Sequence, residues 1–196
     1  MKERKPNRLK NYNYSQSGSY FITICTNKME NYFGKIEKGI IILNDYGKIA
    51  ENLWIGLPKV FKNIILDIFV IMPNHMHAII AITHEYKQKI VGNATLRFSK
   101  SSENVFSNQD IVRGKVNPEL HSLQDNNGYK RTKMQLSKII QTYKAETTRR
   151  IKRISKFEIN HSVWQKSFYD RIIRTEKEFN NIQQYIFEPN KMGIRY

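Results

Sequence analysis

The sequence of 196 residues contains one cysteine, Cys25, together with only five prolines and nine glycines. A single thiol excludes a disulfide framework and a cysteine-rich zinc site, and it is typical of the reducing cytosol, so we predict a cytoplasmic protein. Acidic residues are also scarce: 17 Asp and Glu stand against 33 Lys and Arg, which gives a formal net charge of +16. A domain this basic is typical of proteins that bind a polyanion. We expect nucleic acid to be the partner, and an anionic membrane surface is the alternative.

Long hydrophobic runs are missing as well. The longest apolar stretch, residues 64–82, is interrupted by Asp67 and by Pro73-Asn74-His75, so it predicts two strands and a turn instead of a membrane span. Residues 1–10 are charged and no apolar segment follows them, so we expect no signal peptide. Because lipidation motifs are also missing, a membrane partner is not expected.

The remaining composition is that of a folded protein. Hydrophobic residues make up 40% of the chain and aromatic residues 12%, and this length suits one domain with a buried core. We therefore predict a single domain over residues 1–196. Residues 84–128 are rich in Ser, Asn, Gln, Lys and Gly, which predicts a flexible polar insertion within it.

Secondary-structure patterns alternate along the chain. The first half predicts a strand over 20–26, a hairpin of strands 32–36 and 40–43, and a helix from the N-cap Asn44 to Pro58. The second half predicts strands over 64–72, 75–83 and 163–169, a helix from Lys133 through Ile154, and a helix from Thr175 that ends near Phe187 or Glu188. This order predicts an α+β fold in which helices pack on an antiparallel sheet.

The segment Met72-Pro73-Asn74-His75-Met76-His77 is the first candidate site. Side chains alternate along a strand, so His75 and His77 should point to one face. Two imidazoles on one face can bind a divalent metal together. The alternative is that both are ordinary sheet histidines with backbone or water partners.

Tyr185 is the second candidate. At about 100° per residue it falls beside the apolar stripe of the last helix, and Glu188, three residues later, shares its sector. A tyrosine there is either a packing residue or a nucleophile, since a phenolate can attack phosphorus when a nearby metal polarises the phosphate.

Two groups of arginines are candidate DNA-binding residues. Arg149, Arg150 and Arg153 crowd the C-terminal half of one predicted helix, where they form either a phosphate-binding surface or a solvated face. Arg171 and Arg174 follow Trp164-Gln165, which is equally consistent with nucleic-acid contacts and with a core tryptophan beside surface arginines.

Several ordered segments together resemble the REP-associated tyrosine transposases, relatives of the single-tyrosine HUH transposases of small insertion sequences. The matching segments are residues 13–26, 43–47, 72–77, 163–174 and 185–186. They span nearly the whole chain outside the polar segment, and the hallmark among them is Pro73-Asn74-His75-Met76-His77.

The resemblance implies both a fold and a reaction. The fold would be the ferredoxin-like or RRM-like α+β fold of HUH transposases, with His75 and His77 on a central strand as ligands of Mg²⁺ or Mn²⁺. Tyr185 would attack a backbone phosphate of hairpin-forming single-stranded DNA and give a 5′-phosphotyrosine and a free 3′-hydroxyl. No small-molecule cofactor is implied, and the protein would act as a monomer or homodimer.

One departure from the family pattern bears on catalysis. The family reads Tyr-Ile-x-x-Asn-Pro after the nucleophile, whereas Pro189 stands here at the position of the Asn ligand. Glu188 is the predicted replacement, because it is a hard oxygen donor; Asn190 and Gln184 are alternatives. The hypotheses are therefore an active transposase, a catalytically impaired hairpin-binding protein, and RNA binding through an RRM-like sheet.

Overall fold

A four-stranded antiparallel sheet organises the computed structural model, which describes residues 12–83, 134–155 and 161–188. The strands are β1 (Gly18–Cys25), β4 (Ile64–Ile71), β5 (His75–Ile82) and β6 (Tyr169–Ile173), with a separate hairpin of β2 (Gly34–Glu37) and β3 (Ile40–Leu43). The helices are α1 (Asp45–Ile55), α2 (Leu57–Val60), α3 (Gln135–Ile154) and α4 (Glu176–Phe187), and a 3₁₀ turn spans Asn27–Met29.

The strand order β4-β5-β1-β6 places β1 in the interior of the sheet. β1 pairs antiparallel with β5 on one side and with β6 on the other. The chain order β1-α1-β4-β5-α3-β6 with this strand order is the ferredoxin-like arrangement. The predicted α+β class, an antiparallel sheet with helices packed on it, is confirmed.

Helices cover both faces of the sheet. On one face, Ile22 of β1 and Ile80 of β5 pack in the same core as Ile140 of α3; we call it the α1/α3 face, because α1 packs there too. On the other, Ile79 of β5 packs in a second cluster with Ile182 of α4, and we call it the α4 face. The two-residue alternation of the strands therefore separates two cores.

Local sequence signals set several element ends. The Asn44 side chain accepts a hydrogen bond from the Gly47 amide (3.0 Å) and starts α1, as predicted. Thr175 starts α4, and its hydroxyl accepts a hydrogen bond from the Glu178 amide (3.2 Å). No described helix has the combination of length and apolar character that crossing a membrane requires.

The predicted strand over 163–169 is wrong, because β6 begins only at Tyr169. Trp164 is buried and its ring packs 4.7 Å from that of Phe33, but the residue makes only an isolated bridge to Thr26. The Lys144 ammonium donates to the carbonyl oxygens of residues 165, 166 and 167. A side chain thus satisfies the backbone groups that a strand would present to its neighbour.

The predicted helix end at Pro58 is also misplaced. α1 ends at Ile55 with Gly56 as its C-cap, and Pro58 lies in the first turn of the short helix α2. Proline is tolerated in a first turn because the amide it removes has no partner there. The single domain over 1–196 remains a prediction, and the polar segment 84–128 lies outside the described residues.

Candidate functional site

His75 and His77 lie side by side on the α4 face of β5, as the strand alternation predicts. They are only 1% and 5% exposed, and their ring centroids are 4.7 Å apart. Burial lowers the pKa of His75 to about 4. Burial and the neighbouring His75 lower the pKa of His77 to about 3. Both imidazoles are therefore neutral near pH 7, the form that binds a metal ion.

Hydrogen bonds fix how each ring is oriented. Nδ1 of His75 lies 2.7 Å from Oδ1 of Asn74. Because an amide oxygen only accepts, Nδ1 carries the proton and Nε2 keeps its lone pair. Nδ1 of His77 lies 2.8 Å from Oγ1 of Thr23, its cross-strand neighbour in β1. Such partners of the second nitrogen are what orient metal-binding histidines.

Tyr185 of α4 reaches this pair from a position 108 residues later in the chain. Its hydroxyl lies 3.1 Å from Nε2 of His77. Phe21 of β1 stacks on the His77 ring at 5.4 Å and meets the Tyr185 ring edge-on at 6.0 Å. The structure thus brings Tyr185 and His77 into direct contact, and Phe21 packs against both of their rings.

A polar contact beside Tyr185 ties α4 to the sheet. Nε2 of Gln183 donates to Oδ1 of Asp67 in β4 at 2.7 Å. Asp67 lies where the β4–β5 register shifts between Leu66 and Phe69. Bulges of this kind redirect side chains near functional sites. Here the irregularity coincides with the carboxylate that holds the helix two residues before Tyr185.

Backbone contacts also fix the turn that precedes His75. The Thr26 amide donates to the carbonyl oxygen of Asn74 at 2.8 Å, and the buried Thr26 hydroxyl lies between that oxygen (2.8 Å) and the carbonyl oxygen of Glu30 (2.7 Å). The Phe33 amide donates to the carbonyl oxygen of Pro73 at 3.0 Å. The turn that precedes His75 is therefore held from two separate segments, at Asn74 by Thr26 and at Pro73 by Phe33.

The histidine pair fits part of a metal-binding set. Two neutral imidazoles oriented by second partners suit a divalent cation. Within the described ranges, however, no group of three or more His, Cys, Asp or Glu side chains is arranged to hold an ion.

Glu188, the predicted third ligand, is the C-cap of α4, where its amide donates to the Gln184 carbonyl oxygen. The structure does not add its carboxylate to the histidine pair. Its role as a ligand stays a prediction, and Asn190 lies outside the described residues.

The predicted DNA-binding arginines divide between the two sides of the sheet. Arg149, Arg150 and Arg153 are exposed on α3, which packs on the α1/α3 face, and Glu146 pairs with the first two. This group therefore lies across the sheet from Tyr185.

Arg171 and Arg174 lie next to the first turn of α4. Arg171 of β6 is the register partner of Phe21, so its side chain points to the α4 face. Its guanidinium pairs with Glu178 of α4 at 2.6 Å. Arg174 is exposed directly before α4, and its amide donates to the Glu178 carboxylate at 3.2 Å.

Sequence reasoning missed Thr23, Phe21 and Gln183. All three stand inside segments predicted as regular strand or helix, with nothing in the local pattern to distinguish them. Only the cross-strand register could have identified Thr23, since it pairs Thr23 with His77 over 54 positions. Such pairings are set by the fold as a whole.

Two solved structures resemble the chain weakly. A REP-associated tyrosine transposase bound to a REP hairpin gives a TM-score of 0.48 at 16% identity, over 98% of this chain and 75% of the other. A candidate transposase from Deinococcus radiodurans gives a TM-score of 0.38 at 13% identity, over 92% of this chain and 96% of the other. No protein-family model matches the chain.

A sequence relative is found in Haemophilus influenzae. This uncharacterized protein is 33% identical over 183 residues, which cover 93% of the present chain and 86% of the relative. The similarity therefore extends over nearly the full length of both proteins. The chain belongs to the same protein family as this Haemophilus influenzae protein.

Proposed function

We propose that the chain is a metal-dependent tyrosine transposase that cleaves and rejoins hairpin-forming single-stranded DNA. The observation that carries the proposal is the 3.1 Å contact between the Tyr185 hydroxyl and Nε2 of His77. It joins a potential nucleophile to a pair of buried neutral imidazoles, and the ordered motifs of the sequence resemble the tyrosine transposases.

The reaction follows from the chemistry of a phenol. The oxygen of Tyr185 attacks a backbone phosphorus, a new P–O bond to tyrosine forms, and the bond from phosphorus to the 3′-oxygen breaks. The phenol proton is balanced by the proton that the 3′-oxygen takes up. Since one phosphodiester replaces another, no nucleotide hydrolysis is required, and attack by another 3′-hydroxyl reverses the step and transfers the strand.

His75 and His77 would hold the divalent cation, Mg²⁺ or Mn²⁺. Bound there, the cation would polarise the phosphate and stabilise the charge that develops on its oxygens. Phosphate and water oxygens are ligands that such hard ions accept readily, and Glu188 remains the candidate protein ligand from α4. The neutral state of both rings, which burial maintains, leaves one nitrogen of each ring without a proton at pH 7.

Basic residues would hold the DNA. Arg171, which shares the α4 face with Tyr185, and Arg174, which directly precedes α4, would bind phosphates next to the cleaved one. Arg149, Arg150 and Arg153 would bind a more distant part of the nucleic acid. Replacing any one phosphate-binding arginine by alanine should reduce the slope of log affinity against log salt by about one.

The test is a denaturing gel of the protein with a labelled hairpin oligonucleotide that carries a single-stranded flank. We expect a covalent adduct that requires Mn²⁺ or Mg²⁺, is lost in Tyr185→Phe, and is lost in the double variant His75→Ala/His77→Ala. Tyr169→Phe is the matched control, because this tyrosine is 52% exposed on β6. An adduct formed equally by wild type and Tyr185→Phe would contradict the assignment.

A second candidate function is DNA binding without cleavage. It is favoured by one observation: in the described part of the chain no carboxylate completes the histidine pair. This function predicts salt-dependent hairpin binding, with no adduct under either cation. Competition between DNA and RNA of one sequence would also separate both candidates from an RNA-binding protein.

A further inference from the structure

The Tyr185–His77 hydrogen bond occupies the nitrogen that a metal ion would need. We propose that Tyr185 and a divalent cation compete for Nε2 of His77, so that a cation can bind this nitrogen only by displacing the Tyr185 hydroxyl from it. The inference rests on the histidine site of the proposed function, but it concerns what the tyrosine does before any DNA is bound.

The two nitrogens of His77 have separate partners. Nδ1 faces Thr23 in β1 at 2.8 Å, and Nε2 faces Tyr185 in α4 at 3.1 Å. Thr23 is fixed within the β1–β5 ladder, where it is the register partner of His77. A cation that approaches from the α4 face must therefore bind through Nε2.

Hydrogen bonding and metal binding at Nε2 exclude each other in both tautomers of the ring. If Tyr185 donates, its proton occupies the lone pair that the cation needs. If Nε2 donates to Tyr185, the nitrogen carries a proton and has no lone pair to offer. A cation bound to Nε2 would also approach the ring from the side on which the tyrosine oxygen already lies, 3.1 Å from the nitrogen.

Displacement would leave the tyrosine near its present place. Its ring packs edge-on against Phe21 at 6.0 Å, and α4 is anchored to β4 through Gln183. The hydroxyl is then no longer held by an imidazole but still lies beside the histidine pair. Cation binding would in this way release the nucleophile at the moment when the site becomes competent.

The test measures Mn²⁺ binding to the full-length protein without DNA. Free Mn²⁺ is followed by its electron paramagnetic resonance signal in titrations of wild type, Tyr185→Phe and Tyr46→Phe. Phenylalanine keeps the ring and its packing but cannot hydrogen-bond to Nε2. We expect Tyr185→Phe to bind Mn²⁺ about three- to tenfold more tightly than wild type, the range that one ordinary hydrogen bond corresponds to.

Tyr46→Phe controls for the loss of a hydroxyl elsewhere, since Tyr46 lies on α1 at the opposite face, and it should match wild type. Equal or weaker binding by Tyr185→Phe overturns the proposal, and weaker binding would identify the phenol as a ligand. The proposal is also overturned if neither wild type nor Tyr185→Phe binds Mn²⁺. Adding His77→Ala to wild type and to Tyr185→Phe should reduce the Mn²⁺ affinity of each, which would show that the measured site is the histidine pair.

The adduct gel separates this inference from the proposed function. If the affinities follow the expected order but no adduct forms, the competition stands and the transposase assignment fails. If an adduct forms in wild type but Tyr185→Phe binds Mn²⁺ no more tightly, the assignment stands and the competition fails.

Discussion

Replacing Thr23 by valine tests whether the hydrogen bond between the Thr23 hydroxyl and His77 stabilises the fold. The Thr23 Oγ1 atom lies 2.8 Å from Nδ1 of His77, and His77 is only 5% exposed. Valine keeps the β-branched shape and the strand preference of threonine, so the substitution removes one hydrogen bond and little else.

Two effects of opposite sign set the change in the free energy of unfolding. A buried nitrogen left without a partner costs about 1–3 kcal/mol of the free energy of unfolding. The added methyl group recovers at most about 0.8 kcal/mol through burial. The loss of the hydrogen bond therefore dominates, and after full recovery by the methyl group Thr23→Val should still lower the free energy of unfolding by about 0.2–2.2 kcal/mol.

The assay is urea denaturation at pH 7.5, read as a shift of the midpoint at constant slope. Thr142→Val makes the same chemical change at an exposed position of α3 and should stay within about 0.5 kcal/mol of wild type. A Thr23→Val midpoint equal to that of wild type would refute the reasoning that this hydroxyl satisfies His77.

Three further predictions concern the pH dependence of stability, the contact that anchors α4 to β4, and the β2–β3 hairpin. The unfolded chain protonates its histidines near pH 6.5, whereas the folded chain does so near 4 at His75 and 3 at His77. The contribution of these two histidines to the free energy of unfolding should therefore be constant above pH 7 and fall between pH 6.5 and 4, by up to about 1.4 kcal/mol per pH unit for each ring; a flat series of urea midpoints over pH 4–7 would contradict this. Gln183→Met should slow adduct formation severalfold, while the affinity for the hairpin oligonucleotide in filter binding stays unchanged. Equal slowing by Gln141→Met on α3 would contradict a positioning role of Gln183. Gly34→Ala should disrupt the β2–β3 pair, because Gly34 has a φ of +145° and a Cβ there would lie 2.1 Å from a backbone oxygen of β3; an unchanged thermal midpoint would show that the hairpin does not support the fold.

The sequence predicts β1, β4 and β5 of the sheet well because their signals are local. Two apolar runs joined by Pro73-Asn74 define β4 and β5, and the alternation within β5 is enough to place His75 and His77 on one face. The capping residues Asn44 and Thr175 likewise fix the starts of α1 and α4. In each case the physical cause operates within a few residues of the effect.

The errors arise where distant residues determine the outcome. Val163 and Trp164 have strand-like side chains but serve the core, while the ammonium of Lys144 satisfies the backbone that follows them. The spacing of the arginines on α3 indicates a basic surface but not the side of the sheet on which it lies. The contact of Tyr185 with His77 could be expected from family resemblance, whereas its partner Thr23 follows only from the register.

The interior place of β1 has a consequence for biosynthesis. Both neighbours of this strand are translated after it, first β5 and then, after α3, β6. Ser19 therefore lacks its register partner Ile173 until β6 has been made. Pairings so distant in sequence slow folding and leave edges open in the meantime. A nascent or prematurely ended chain that lacks β6 therefore exposes one edge of β1, and Tyr185 is translated only after all four strands of the sheet.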